Sequence, residues 1–446
     1  MARRTIAGWG NYPRLECDVR PVDDAARVAA LLDARGTIAR GLGRSYGDPA
    51  LEERGAVLDL TGLDRFLAFD EATATLTCEA GVSLEAIVRT FAPRGFFPAV
   101  TPGTKHVTVG GCIANDVHGK AHHLDGCFST CVEAFDLLVA SGEVLPCSRA
   151  RNAELFWATC GGLGLTGVIV RATIRLRPIE TTFFHQEAIV VRDLSALLAA
   201  FDEYDERYPY SVAWIDPLAT GAGLGRGVLT VGDHATRRDL PERFAGEPLL
   251  VRPPTSIAVP FDLPDFALNP LTLRVLNVVI CQVQARGGRS AHFEKFFYPL
   301  DAIAEWNRGY GRRGFTQYQF VIPLVEGERR MRTILERIAS SGQMPFLNVL
   351  KKFGGAGEGH LSFPFEGYTF AIDFPITDGL ADLTAELDRM VIDAGGRVYL
   401  GKDAFLRSES LAAMYPRLDE WRQIKARVDP DEVFRSHLSS RVGLTR

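Results

Sequence analysis

Four short stretches of this chain carry residues of the types and spacings that do chemistry. TPGTKHVTVGGCIANDVHGK, Thr101 to Lys120, sets Gly103, Gly110, Gly111 and Gly119 among turns and ends on His118 and Lys120. RGLGRSYGD, Arg40 to Asp48, and GGLGLTG, Gly161 to Gly167, are two further glycine-rich turns, and RVYLGKD, Arg397 to Asp403, presents Tyr399 and Lys402. Glycines at this density let main-chain N–H groups approach an anionic ligand that Cβ atoms would hold off, and Arg40 or Arg44 adds charge. Neither nucleotide fingerprint fits the first turn: the G-x-G-x-x-G spacing fails, and no GK[ST] follows. A glycine-rich turn alone is often only a turn. Together, the loops are read here as walls around the diphosphate and ring of a flavin, with His118 where cofactor binding gives way to chemistry.

The elements that must position these loops can be read from periodicity. Val22 to Leu32 is expected as a helix, followed by a strand at Thr37 to Ala39 that enters the first loop. Strands are expected at Val57 to Leu60 and Thr75 to Cys78. A helix then starts at Ser83, with Leu84, Ile87, Val88 and Phe91 on one face. Ala134 to Ala140 reads as a strand, Glu154 to Thr159 as a short helix, and Val168 to Arg177 as a half-buried strand, with Pro178 a boundary. From there the texture changes to longer strand-like segments: Gln186 to Val191, Val212 to Ile215, Arg274 to Gln284, Phe315 to Leu324, Phe346 to Phe353 and Tyr368 to Phe374. Gln317 and Gln319 share one strand face, suited to a polar cavity or to solvent; Lys351 and Asp373 interrupt otherwise apolar strands. Pro253 to Pro270 is expected as a loop or lid. A helix ending at Gly395-Gly396 closes this region, and the last fifty residues return to loops and helices. The expected organisation is α+β, with residues 1–180 and 397–446 forming one unit and 181–396 an insertion.

Bulk composition sets limits. With 446 residues, 46% hydrophobic and 24% charged, the chain reads as an ordinary globular protein too long for one core. A net charge of −5 and no basic run with interleaved aromatics point away from nucleic acid. The eight cysteines form no C-x-x-C pair, and His122-His123 lacks further ligands, so no metal is expected. MARRTIAGWGNYPR has no apolar core behind its basic residues, and no apolar run is long enough to span a bilayer; a cytoplasmic location is expected, with peripheral membrane contact left open.

The same motifs carry a family resemblance. GRSYGD at Gly43 to Asp48, TPGT, VTVGG, NDVHGK and HH between Thr101 and His123, and ELFWAT-x-GG-x-GLTG at Glu154 to Gly167 resemble flavoproteins of the vanillyl-alcohol oxidase superfamily, which share the PCMH-type FAD-binding domain. QYQFVIP, FLNVLKKFG, DFPI and GGRVY-x-x-KD extend the likeness to the decaprenylphosphoryl-β-D-ribose 2′-oxidases almost end to end. The resemblance implies FAD in extended form between two halves of an α+β domain, with a sheet-based substrate domain over its ring. It assigns to FAD the residues Arg40, Gly41, Leu42, Gly43, Arg44, Ser45, Tyr46, Gly47 and Asp48. Gly103, Thr108, Val109, Gly110, Gly111, Asn115, Asp116, Val117, His118, Ile169 and Tyr399 join them. It implies non-covalent FAD, because the first loop has Ser45 and Tyr46 rather than a His or Cys to bond the ring. Lys402, His118 and Tyr46 are the implied catalytic residues, with Lys402 near the pyrimidine edge stabilising charge on the reduced flavin; Gln317, Gln319, Lys351 and Lys120 are assigned to substrate. The implied reaction is oxidation of the 2′-hydroxyl of a polyprenylphosphoryl-β-D-ribose, with a short-chain reductase as partner. Two alternatives stand beside it: a sugar-lactone or polyol oxidase of the same superfamily, and a flavin- or lipid-binding subunit without turnover. One departure is Ala371, where mycobacterial members carry a cysteine attacked by covalent inhibitors.

Overall fold

A computed structural model describes residues 3–252, 256–264, 269–285 and 290–445. β1 (Arg4–Ile6), β2 (Leu15–Pro21), β3 (Thr37–Arg40) and β4 (Ala56–Asp59) form a sheet of order β1-β2-β4-β3, in which β4 runs parallel to both β2 and β3. A second, antiparallel sheet contains β5 (Phe66–Asp70), β6 (Thr75–Glu79), β7 (Phe96–Pro98), β8 (Val132–Leu138), β9 (Val144–Ser148) and β10 (Val168–Pro178). β10 lies at its centre and buries Val168, Val170, Ala172, Ile174 and Leu176, the period-2 pattern of its sequence.

Ten strands follow: β11 (Phe183–Val191), β12 (Tyr210–Ile215), β13 (Gly227–His234), β14 (Ile257–Ala258), β15 (Ser290–His292), β16 (Ile303–Ala304), β17 (Phe315–Pro323), β18 (Asn348–Phe353), β19 (Gly367–Pro375) and β20 (Arg397–Val398). β14 and β16 pair with each other in parallel. The other eight make one sheet of order β15-β11-β13-β12-β18-β19-β17-β20. Arg397, where the returning segment was expected to begin, is thus still an edge strand of this sheet.

Most local expectations match what their residues form. Ser83 caps the helix Leu84–Phe91 by accepting from the Ala86 N–H, and all four stripe residues are buried. Two expectations differ. Val22 to Leu32 forms two 3-10 turns, Ala25–Arg27 and Ala29–Leu31, rather than a helix. Arg20 takes the Leu31 carbonyl at 2.8 Å, and Asp24 caps Ala26, so the stretch folds against its neighbours instead of propagating. Arg274 to Gln284 belongs to a 16-residue helix, Pro270–Ala285, not to a strand. Its β-branched run suits either state. Pro270 at the first helical position, preceded by Asn269 whose Oδ1 accepts from the Thr272 N–H at 3.1 Å, sets the helix. Of the loop expected from Pro253 to Pro270, residues 253–255 and 265–268 lie outside the described residues. The part between them carries β14, and Arg308 donates to the Val259 and Pro260 carbonyls.

Candidate active site

The glycine-rich turns and one face of the eight-stranded sheet enclose a cavity of about 1160 Å³. That exceeds what a typical small-molecule pocket provides, leaving room for a large cofactor and a substrate together. Arg40 through Tyr46 line it from the loop after β3. Gly103, Thr108, Gly110, Gly111, Asn115, Val117, His118 and Lys120 line it from the second stretch. Ile169 at the start of β10, Tyr399 and Lys402 after β20, and Gln317, Gln319 and Lys351 from β17 and β18 complete the expected set. Gly47, Asp48, Val109 and Asp116, also expected at the cofactor, do not border the cavity. A Cβ at Gly47 would stand 1.9 Å from the Asp403 carbonyl oxygen. Asp48 is fully buried and paired with Arg441 and His437, and Val109 is core. Asp116 accepts from Ser129 N–H at 3.0 Å and Ser362 Oγ at 2.6 Å. These four brace the wall from behind.

Local chemistry explains the wall. Thr108 Oγ1 accepts from the Gly111 N–H and starts the turn Val109–Ala114. It also sits 2.2 Å from where a Gly41 Cβ would be, so the two loops meet only because residue 41 has no side chain. Tyr399 donates to the Asn115 carbonyl at 2.9 Å, tying the returning segment to the second stretch. A Cβ at Gly103 would meet no protein atom within 4 Å and would enter the cavity instead. Five lining residues carry a buried polar atom with no protein partner among the described residues: Arg44 Nε, Asn115 Oδ1 and His118 Nδ1 on the loop side, and Trp214 Nε1 and Asn348 Nδ2 on the sheet side. A cradle open at the glycines, walled by residues that carry such unpaired atoms, suits a dinucleotide cofactor.

The sheet side is cationic and tightly bonded. Lys402 donates to Gln317 Oε1 and lies 4.3 Å from the centre of the Tyr46 ring. Gln317 Nε2 donates to Asp373 Oδ1 at 2.5 Å, and the Tyr310 hydroxyl donates to Asp373 Oδ2 at 3.0 Å. Gln319 Nε2 contacts His118 Nε2 at 3.0 Å and donates to Thr369 Oγ1 at 3.2 Å. Burial pushes Lys402 down to about 8, opposed by Asp373; burial, with Lys402 and Lys120 near, holds Lys351 at about 7. Burial alone brings Lys120 to about 7, and raises Asp373 to about 7 against Gln317, Lys402 and Tyr310. Burial, then Lys351, His122 and Lys402, drives His118 well below its ordinary value, so its imidazole is neutral.

Asp373 and Tyr310 are the members of this network that sequence reasoning missed. The available signal was a carboxylate inside the apolar strand GYTFAIDFP; its partners come from β17 and the turn Trp306–Tyr310, too far apart in sequence to pair by spacing. Ala371 borders the cavity beside Gln319 in register. His122 meets Cys127 Sγ at 3.4 Å and Phe353, and no group of three or more His, Cys, Asp or Glu placed to hold a metal occurs among the described residues.

Fold and site together define a FAD-dependent oxidoreductase acting on a sugar: residues 17–148 match the family model of a FAD binding domain, and 376–442 that of D-arabinono-1,4-lactone oxidase. The chain is 39% identical to the decaprenylphosphoryl-beta-D-ribose oxidase of Mycolicibacterium smegmatis, across 99% of this chain and 98% of that protein. It is 24% identical to the L-gulono-1,4-lactone dehydrogenase of Mycobacterium tuberculosis across 97% and 98%, and 29% identical to bovine (Bos taurus) L-gulonolactone oxidase across 45% of each chain. The chain belongs to the decaprenylphosphoryl-beta-D-ribose oxidase family. No helix among the described residues is long and apolar enough to cross a membrane.

Proposed function

We propose that this protein oxidises the 2′-hydroxyl of a polyprenylphosphoryl-β-D-ribose to the 2′-ketone. The observation that carries the proposal is full-length similarity to an oxidase named for that substrate, joined to a cavity whose sheet side presents Lys351, Gln319, Gln317 and Lys402. Bound FAD supplies the hydride acceptor. Residues 1–180 and 397–446 hold it, and the sheet of 181–396 covers its ring as a substrate domain. The loop from Arg40 to Tyr46 and the glycines at 103, 110 and 111 bind the diphosphate side; Asn115, His118 and Tyr399 face the ring. Binding is non-covalent, since the first loop offers Ser45 and Tyr46 instead of His or Cys.

Lys351 and Lys120 bind phosphate, Gln317 and Gln319 hold ribose hydroxyls, and Tyr46 packs at the reacting centre. Lys402 provides the positive charge that balances the negative charge arriving with the hydride. Neutral His118, bonded at Nε2 to Gln319, lines the site beside the reacting centre, and the hydroxyl proton leaves through water. The ketone passes to a short-chain reductase that returns a hydride from the other face, completing an epimerisation, and the lipid-borne substrate reaches the site from a membrane face.

Anaerobic mixing of the purified flavoprotein with polyprenylphosphoryl ribose tests the reading. The oxidised band at about 450 nm bleaches on mixing, and acid denaturation leaves the yellow flavin in solution. A band that never bleaches removes the proposed activity. Bleaching by aldonolactones alone, with hydrogen peroxide released in air, favours the lactone-oxidase reading, which has the more distant relatives behind it.

Asp373 adds a pH prediction. A lysine depressed to about 8 loses its charge as pH rises through that value, so flavin reduction declines on the alkaline side there. Asp373 holds the Lys402 value up, so Asp373→Asn moves this limb to lower pH. Stopped-flow rates from pH 6 to about 10 read the shift. An Asp373→Asn protein with the wild-type limb means that Lys402 does not set it.

A further inference from the structure

The cavity does not end at the polar cluster. It continues as a trough across the cavity face of the eight-stranded sheet, bordered by residues of every strand from β17 to β15 except the edge strand β20. The registers make this face explicit. Gln319 opposes Ala371, and Ala371 opposes Val349. Ala213 opposes Leu350, which sets Val212 and Trp214 beside Lys351 and Val349. Val212 opposes Thr230, and Thr230 opposes Ala188. The face is therefore polar over β17 and β19, cationic at Lys351, and mainly apolar from Val349 through Trp214 and Val212 to Ala188, with Thr230 and Gln186 its polar members. At about 4.8 Å per strand, the five steps from β19 to β15 span roughly 24 Å. The helix Pro270–Ala285 borders the apolar half with Val279 and Val283, which remain 48% and 66% exposed. Apolar side chains of a helix left open toward a half-buried, small-residue sheet face form a slot for a linear hydrocarbon.

We infer that this trough binds the polyprenyl chain of the substrate, its phosphate end at Lys351 and its isoprene units laid across β12, β13 and β11 beneath the helix Pro270–Ala285. The inference rests on the proposed activity and adds a binding site to it. A chain in the trough shields Val279 and Val283 from water and fills a surface that nothing else in the described residues covers. Its length limits recognition: isoprene units beyond the far end at β15 make no further contact.

The test uses the holoenzyme and phosphoryl riboses carrying one to ten isoprene units, with flavin bleaching as the readout. KM falls as the chain lengthens through the first several units and is flat beyond them, while kcat stays nearly constant. Ala188→Phe blocks the trough three strand steps from β18, far from Lys402 and Gln319. It raises KM for the decaprenyl substrate by at least about tenfold, the loss of one well-buried apolar group, and leaves the one-unit substrate unchanged. Val283→Asp, on a side chain mostly in water, acts in the same direction without touching the core. A wild-type KM independent of chain length overturns the inference, as do variants that shift KM equally for one and ten units. Failure of every chain length to bleach the flavin is a different result, and it sinks the ribose-lipid reading itself.

Discussion

Lys402→Ala lowers the rate of flavin reduction by about two to three orders of magnitude while the protein keeps its flavin. The loss follows from position. Lys402 sits under the Tyr46 ring and donates to Gln317, which in turn donates to Asp373. Removing the ammonium leaves Asp373, already raised by burial, without the opposing charge, so its carboxyl takes up a proton. The variant then has no cation where the proposed reaction develops negative charge, and its buried carboxyl is neutral as well. Because the proposed reading gives the cofactor its donors from the loops around Arg40 to Tyr46 and Gly103 to Asn115, binding is expected to be largely retained. Single-turnover bleaching separates the two effects. An alanine variant that reduces its flavin at the wild-type rate removes the charge-balancing role.

Arg441→Ala costs about 3–5 kcal/mol of stability, the cost of stranding a buried charge. Asp48 and Asp403 are almost wholly buried, and Arg441 bridges them at 2.8 and 2.9 Å while also donating to the Leu406 carbonyl. Asp48 ends the first glycine-rich loop, and Asp403 follows Lys402, so one guanidinium clamps the turn that lines the cavity to the turn that carries Lys402. Burial by itself would raise the Asp48 carboxyl; Arg441 and His437 outweigh it and hold the group below its ordinary range. A depressed carboxylate contributes stability that is present above its unfolded value near 3.9 and is lost as pH falls through the folded one. The variant therefore unfolds at lower denaturant, shows a weaker acid dependence around pH 2 to about 4, and releases flavin more readily. Arg441→Lys falls between, keeping the charge without the two-pronged geometry. Unfolding curves that coincide for wild type and Arg441→Ala would show the clamp to be incidental.

Much of the cofactor wall was legible in the chain because its physics is local. Glycines at 41, 43, 103, 110 and 111 mark where backbone must approach a ligand or another loop, and Ser83 and Thr108 announce the turns they cap. The alternation from Val168 to Leu176 specifies a half-buried strand whatever lies beside it. Ambiguity arose where local propensity is indifferent. The run around Val279 fits strand or helix, and a capping pair at Asn269 and Thr272 decides it.

By sequence alone, then, the protein is an α+β flavoprotein with a cationic turn at Lys402 and polar residues on two sheet strands. The tertiary structure decided which of these meet. It placed Asp373 behind Gln317, stood Asp48 and Asp116 outside the cavity as braces, and gave Arg441, a residue with no motif around it, the task of joining two loops. It also turned separate strands into one continuous trough. The reason is common to all four. Pairings between residues 56 to 393 positions apart depend on sheet order and on which charges share a dry interior, and no spacing along the chain encodes either.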